Sequence, residues 1–315
     1  MSNSPAIAPV RPALTGGIFF ARHETFHPRH GWLKKGFDAV QENPAIFAIT
    51  DSHLELGVGK NMGQAIRYWC SAFKLIEPIK SPNARSPEHK PTTFGTKLLS
   101  RRGWDPWLED QASLWLLHWN LLKAPGMATA WDIVFNELRK TEFSSEDILG
   151  ELVRFREQHE LNISDSSLQK DVQCILRMYT EQLDGKPMSD ENIDCPFVEL
   201  KLIQKSGDPK LHQFRYGSKS GLPSEIIVAA ALEFVFASNP VQKTVSLSSL
   251  TYGNGSPGQV FKLSESSVYN AVEEVARRFE DITVSDMAGV IQMAFRKNPL
   301  TLAEVLLDKY YAHAE

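Results

Sequence analysis

Apolar positions along this chain recur mainly at intervals of three and four, the spacing of helices that bury one face. Between Lys60 and Ile76 they fall at Met62, Ala65, Ile66, Trp69, Cys70, Phe73 and Ile76, which predicts one amphipathic helix. Its opposite face carries Lys60, Gln64, Arg67, Ser71 and Lys74, three cations without an acid. A second stripe, Leu168, Val172, Ile175, Leu176 and Tyr179, predicts a helix over 166–179 with Ser166, Lys170, Gln173 and Arg177 outward. Ser144 with Asp147 has the spacing of a reciprocal helix cap and predicts a helix to about Glu157. The segments 105–123 and 128–140 are apolar on almost every side. They include Trp107, Trp115, Trp119 and Trp131, which read as central core more readily than as a platform for nucleic-acid bases.

Shorter patterns fill in the rest. GGIFFARHETF predicts a short buried strand leading into a loop, and 34–42 predicts a short helix stopped by Pro44. The Pro-, Ser- and Lys-rich stretch 78–91 predicts a loop that returns through a strand at 92–99. A strand pair is expected at 197–203 and 213–216, and helices at 223–236, 265–279 and 302–311. Short helices, then a helix with a basic face, then a hairpin is the order of a winged helix-turn-helix. The fold class expected is mainly α with short β-hairpins: tandem winged helix-turn-helix-like units around a Trp-rich helical core. The divisions are a mobile tail at 1–16, an N-terminal winged-helix-like DNA-binding domain at 17–103, a central helical, winged-helix-like domain at 104–185 and a C-terminal one at 186–315.

Charge supports a division of labour. The 315 residues carry 34 basic and 38 acidic side chains, a net charge of −4. Residues 1–103 hold 14 basic and 7 acidic residues, while the remainder holds 20 and 31. The N-terminal third is therefore the part suited to a polyanion. Cys70, Cys174 and Cys195 form no CxxC pair, which excludes a zinc ribbon and argues for a reducing, cytoplasmic setting. No run of about 18 apolar residues exists to span a membrane.

Three motifs bear on chemistry. His23-Glu24-Thr25-Phe26-His27 matches H-E-x-x-H letter for letter, but Pro28 follows and no long helix surrounds it. A zinc-protease site is thus disfavoured against a polar loop whose His and Glu satisfy each other, or a functional polar loop. Gly57-Val58-Gly59-Lys60-Asn61 lacks the phosphate-loop spacing, although a helix starting after glycines can hold a DNA phosphate on its N–H groups. Gly255-Ser256-Pro257-Gly258 reads as a tight turn or as an anion contact. The basic helix face is either a solvated surface or a DNA contact. Arg29, Lys34, Lys35, Arg101 and Arg102 nearby favour DNA, since affinity grows with each paired phosphate.

Several blocks in order, HETFHPRHGWLKKGFDAV (23–40), LGVGKNMGQAIRYWCSAFKLIE (56–77), TTFGTKLL (92–99), GWDPWLEDQASLWLLHWNLL (103–122), SDSSLQKDVQCILRMY (164–179), DCPFVELKLI (194–203) and GSPGQVFKLSE (255–265), resemble a bacterial family of unknown-function domains that includes SspB. The resemblance implies a part in Ssp DNA phosphorothioation, an antiphage defence. The family component there nicks one DNA strand for its partners: a cysteine desulfurase, an ATPase and a sulfurtransferase-like ATP pyrophosphatase. It also implies no organic cofactor and, for nicking, Mg²⁺ or Mn²⁺. The family pattern places Pro directly after Phe; here His27 intervenes and is not expected to be a ligand. With that function, His23 and Glu24 are the expected general base or metal contacts and Arg29 the phosphate clamp. Lys34, Lys35, Lys60, Asn61, Gln64, Arg67, Lys170 and Arg177 are expected on DNA. The alternatives are a non-enzymatic DNA-binding adaptor or transcription regulator, and a protein scaffold using the acidic C-terminal part.

Overall fold

The computed structural model describes residues 17–79, 87–181, 195–287 and 289–313; the expected tail at 1–16 lies outside them. In the N-terminal part, α1 (Trp32–Glu42), α2 (Ser52–Glu55) and α3 (Lys60–Ala72) precede a hairpin of β1 (Ile76–Pro78) and β2 (His89–Pro91). Residues 17–20 join no sheet, contrary to the expected strand; Phe19 instead exchanges bonds with the backbone and hydroxyl of Thr129. The strand expected at 92–99 is a helix, α4 (Thr93–Leu99). Thr92 caps it by accepting the N–H of Gly95 at 2.9 Å. At Gly95 the helix lies flush on Leu75, where an added Cβ would stand 2.1 Å from the Leu75 carbonyl oxygen.

The centre is α5 (Gln111–Leu122) and α6 (Thr129–Asn136). Asp110 caps α5, and every residue from Ala112 to Leu122 is buried. The helix therefore begins later than the expected Asp105, and Trp107 falls outside the core at 70% exposure. Trp69, Trp115, Trp119 and Trp131 are buried as the apolar pattern required. They belong to one hydrophobic cluster that runs through the whole described chain.

Two successive segments share one topology. The first runs β3 (Glu142–Phe143), α7 (Ser145–Gln158), α8 (Asp165–Tyr179), β4 (Ile203–Lys205) and β5 (His212–Phe214), with β5 between β3 and β4. After α9 (Ser224–Ser238) come β6 (Thr244–Ser246), α10 (Leu247–Tyr252), α11 (Pro257–Val260), α12 (Glu265–Ala276), β7 (Ile282–Met287) and β8 (Val290–Phe295), with β8 between β6 and β7. The final helix is α13 (Pro299–His313). The capping box of Ser144 and Asp147 forms as its spacing predicts. Ser164 and Ser264 start α8 and α12 alike, accepting the N–H of Ser167 and Ser267 and touching the hydroxyls of Ser166 and Ser266. The matching sequences are S-D-S-S-L and S-E-S-S-V. Gly255–Gly258 forms a turn whose Ser256 caps the short α11. The 282–295 hairpin was not anticipated, although Met293 and Phe295 are buried two apart, as a strand requires.

His118 ties these parts together. Its Nδ1 accepts from the Tyr179 hydroxyl at 2.8 Å and its Nε2 donates to the Val260 carbonyl at 3.0 Å, joining α5 to α8 and α11. Burial pushes the imidazole down to about 3, with Lys262 adding to the fall and the Val260 contact opposing it. The unfolded chain binds a proton near pH 6.5 that the folded chain refuses. This residue therefore withdraws about 1.4 kcal/mol of stability per pH unit as pH falls from about 6.5 towards 3. In urea unfolding between pH 7.5 and 5, His118→Phe should flatten that part of the profile; an unchanged slope would contradict the assignment.

Candidate nucleic-acid interface

The outward face of α3 matches the pattern that predicted it: Lys60, Asn61 and Gln64 are exposed and Arg67 is half-buried. No side chain caps its N-terminus, where Gly59 is extended, so its first N–H groups face outward beside Lys60 and Asn61. Along this face runs a groove of about 990 Å³. Its walls are α3, the turn at 22–24, the β1–β2 hairpin, the start of α4 and the loop after α5. Arg22, Glu24, Gln64, Arg67, Lys74, His89 and Lys123 line it among the apolar Phe19, Tyr68, Phe94 and Met127.

The turn carrying Glu24 is fixed from behind. Glu24 and Thr25 take left-handed backbone angles, φ 50° and 70°, so the H-E-x-x-H letters do not share a helical turn and the zinc-protease arrangement is absent. His23 does not pair with Glu24. It is buried at 1% exposure, stacked 6.1 Å from Trp69 and edge-on 5.7 Å from Trp131. Its Nε2 bonds Asp171 Oδ1 at 2.8 Å. The same carboxylate accepts the N–H of Ala21 at 3.0 and 3.1 Å, and Trp69 Nε1 donates to the Phe26 carbonyl at 2.9 Å. Burial pushes the Asp171 carboxyl up, opposed by His23 and the Ala21 N–H. His23 thus sits behind the groove wall, not on its surface, and Asp171, 148 residues away, anchors it.

The other expected contacts separate into exposed and committed groups. Arg29 lies over Phe26 and Trp32, 5.7 and 5.2 Å from their ring centres. Lys34 pairs with Asp38 at 2.6 Å and lies 5.1 Å from the Trp107 ring, while Lys35 donates to the Leu56 carbonyl at 2.9 Å. Lys74, expected on the outer face of α3, lies past its end at φ 59° and donates to the carbonyls of Asn120 and Lys123. Burial first, then Lys123, pushes it down to about 7, with Glu233 opposing. It closes the C-terminal end of α5. Lys170 and Arg177 are exposed on α8, the helix whose buried Asp171 anchors His23, and are not among the groove's lining residues. Sequence reasoning missed Arg22, His89, Asn120 and Asp171. Arg22 beside HETF was the one local signal; the others reach the site through contacts distant in sequence.

All three cysteines are buried and free. No group of three or more His, Cys, Asp or Glu is placed to hold a metal ion among the described residues. No helix among the described residues is long and apolar enough to cross a membrane.

Comparison with known proteins places this geometry in a family. No curated protein matches the chain. A solved structure described as "SspB crystal structure" is 36% identical, covering 93% of this chain and 88% of its own, with a TM-score of 0.87. Another, "Magnesium ion-bound SspB crystal structure", is 35% identical over the same shares, with a TM-score of 0.86. The family described as "Protein of unknown function (DUF4007)" matches residues 20–311. The chain belongs to the DUF4007 family.

Proposed function

We propose that this protein is the DNA-binding, strand-nicking component of an Ssp-type phosphorothioation system. The observation that carries the proposal is the meeting of Arg22, Glu24, Gln64 and Arg67 in one groove, with the exposed Lys60 and Asn61 in the first turn of the same helix α3. The likeness to SspB over 93% of the chain supports the system. Three helix–hairpin units, α1 to β2, β3 to β5 and β6 to β8, are read as winged helices; the middle one keeps β3, α7 and α8 with the β4–β5 hairpin across the division expected near 185. In them α3, α8 and α12 stand where a groove-entering helix would be. Lys60, Asn61, Gln64 and Arg67 track the duplex, and Lys170 and Arg177 extend the contact along α8. Lys34 and Lys35 add positive field near it, and Arg29, stacked on its two rings, offers a guanidinium edge to a phosphate. The work takes place in the cytoplasm alongside the desulfurase, the ATPase and the ATP pyrophosphatase.

In this reading Glu24 is the carboxylate closest to the chemistry, receiving the proton of an attacking water. His23 is a positioning residue: it holds the turn through Asp171. One SspB structure is described as magnesium-bound. The described residues here offer no ready three-ligand set, so no step is assigned to a metal. The second reading is a DNA-binding adaptor without catalysis. A supercoiled-plasmid assay with Mg²⁺ and Mn²⁺ separates the two. Wild-type protein should yield open circles, and Glu24→Gln should slow this at least about 100-fold, the usual contribution of a general base. DNA shifted on a gel but never nicked, in either metal, would establish the adaptor.

A further inference from the structure

Two buried residues that line the groove each carry a polar side-chain atom without a hydrogen-bond partner among the described residues. Asn120 is 1% exposed; its amide N–H donates to the Leu116 carbonyl at 2.8 Å, while its Oδ1 has no hydrogen-bond partner among the described residues. His89 is 5% exposed, and its Nδ1 likewise has none among the described residues. Both residues line the groove. A buried acceptor left unpaired is costly, and pairs of this kind on a pocket wall point to a ligand that completes them. Burial first, then Arg67, favour the neutral imidazole of His89, opposed by a hydrogen bond to the Pro87 backbone.

The shape narrows the ligand. A duplex is read by convex elements entering its grooves, whereas this site is concave. Its volume of about 990 Å³ falls at the upper end of the roughly 300–1,000 Å³ typical of small-molecule clefts. Phe19, Phe94 and Met127 supply apolar surface for an aromatic base, and Arg22 and Arg67 supply positive charge for its phosphates. The lining holds two carboxylates: Glu77, paired with Lys90 at 3.1 Å, and Glu24, the proposed base.

We propose that this groove takes one nucleotide turned out of a DNA strand. Its base lies against Phe94 and bonds Asn120 and His89, and its phosphates lie against Arg22 and Arg67. The inference rests on the DNA-binding reading and deepens it, because it places a strand's unstacked nucleotide, not the duplex, beside Glu24.

The test uses the full chain and duplexes carrying 2-aminopurine at each position in turn, with gel shift and emission read on the same samples. Emission should rise at one position on binding, and Phe94→Ala should reduce the affinity read from that rise about tenfold. Asn120→Leu, checked for folding by circular dichroism, should do the same through one lost hydrogen bond. A duplex that is shifted with emission unchanged at every position overturns the nucleotide pocket while leaving DNA binding intact. So does a rise that both variants leave unaltered. A duplex that is not shifted even at low salt overturns the DNA-binding reading itself.

Discussion

Asp171→Ala should destabilise the protein by about 3–5 kcal/mol, the cost of stranding one member of a buried pair. Asp171 accepts from His23 and from the Ala21 N–H, so one substitution leaves a buried and a half-buried donor without their partner. His23 cannot turn to water, because Trp69 and Trp131 pack against its ring. The consequence should extend to the groove, since the 21–25 turn that carries Glu24 hangs on this carboxylate. Asp171→Asn keeps an acceptor and should lose less. Urea midpoints measure the loss, and Asp171→Ala within about 1 kcal/mol of wild type would contradict the role given to the pair.

The second large effect is on DNA. Lys60→Glu with Arg67→Glu should weaken duplex binding by about two orders of magnitude at 0.1 M salt. It should also reduce the slope of log affinity against log salt by about 1.8, the value for two phosphate contacts. Both residues lie on the exposed side of α3, and no ion pair is seen for either among the described residues. Lys34 and Lys35 hold partners within the protein, so the same reversal there should cost less. Binding that survives the double reversal with an unchanged slope would remove α3 from the interface.

These expectations also show which parts of the structure the chain makes legible. The stripes of α3 and α8, the Ser144–Asp147 cap and the buried tryptophans could be read locally, because a helix writes its buried face into the nearest few residues. Thr92–Leu99 misled because its short apolar run suits a strand or a helix, and the choice was made by the Thr92 cap and the approach of Gly95 to Leu75. The hairpin at 282–295 carried its spacing of two faintly, with Ile291 exposed beside buried Met293. The site was half legible. Glu24, Gln64 and Arg67 share the groove, but nothing local ties His23 to Asp171 or brings His89 and Asn120 to its lining. Lys74 looked like surface because helical spacing alone places it there; the chain leaves the helix at Ala72 and turns it inward.

The central claim, that the α3 face and the groove along it hold DNA, is tested most directly by hydrogen–deuterium exchange with and without a duplex. Backbone protection is predicted at 19–25, 60–72 and 87–95. Protection confined to α12, α13 and the 282–295 hairpin, with those segments unchanged, would contradict it.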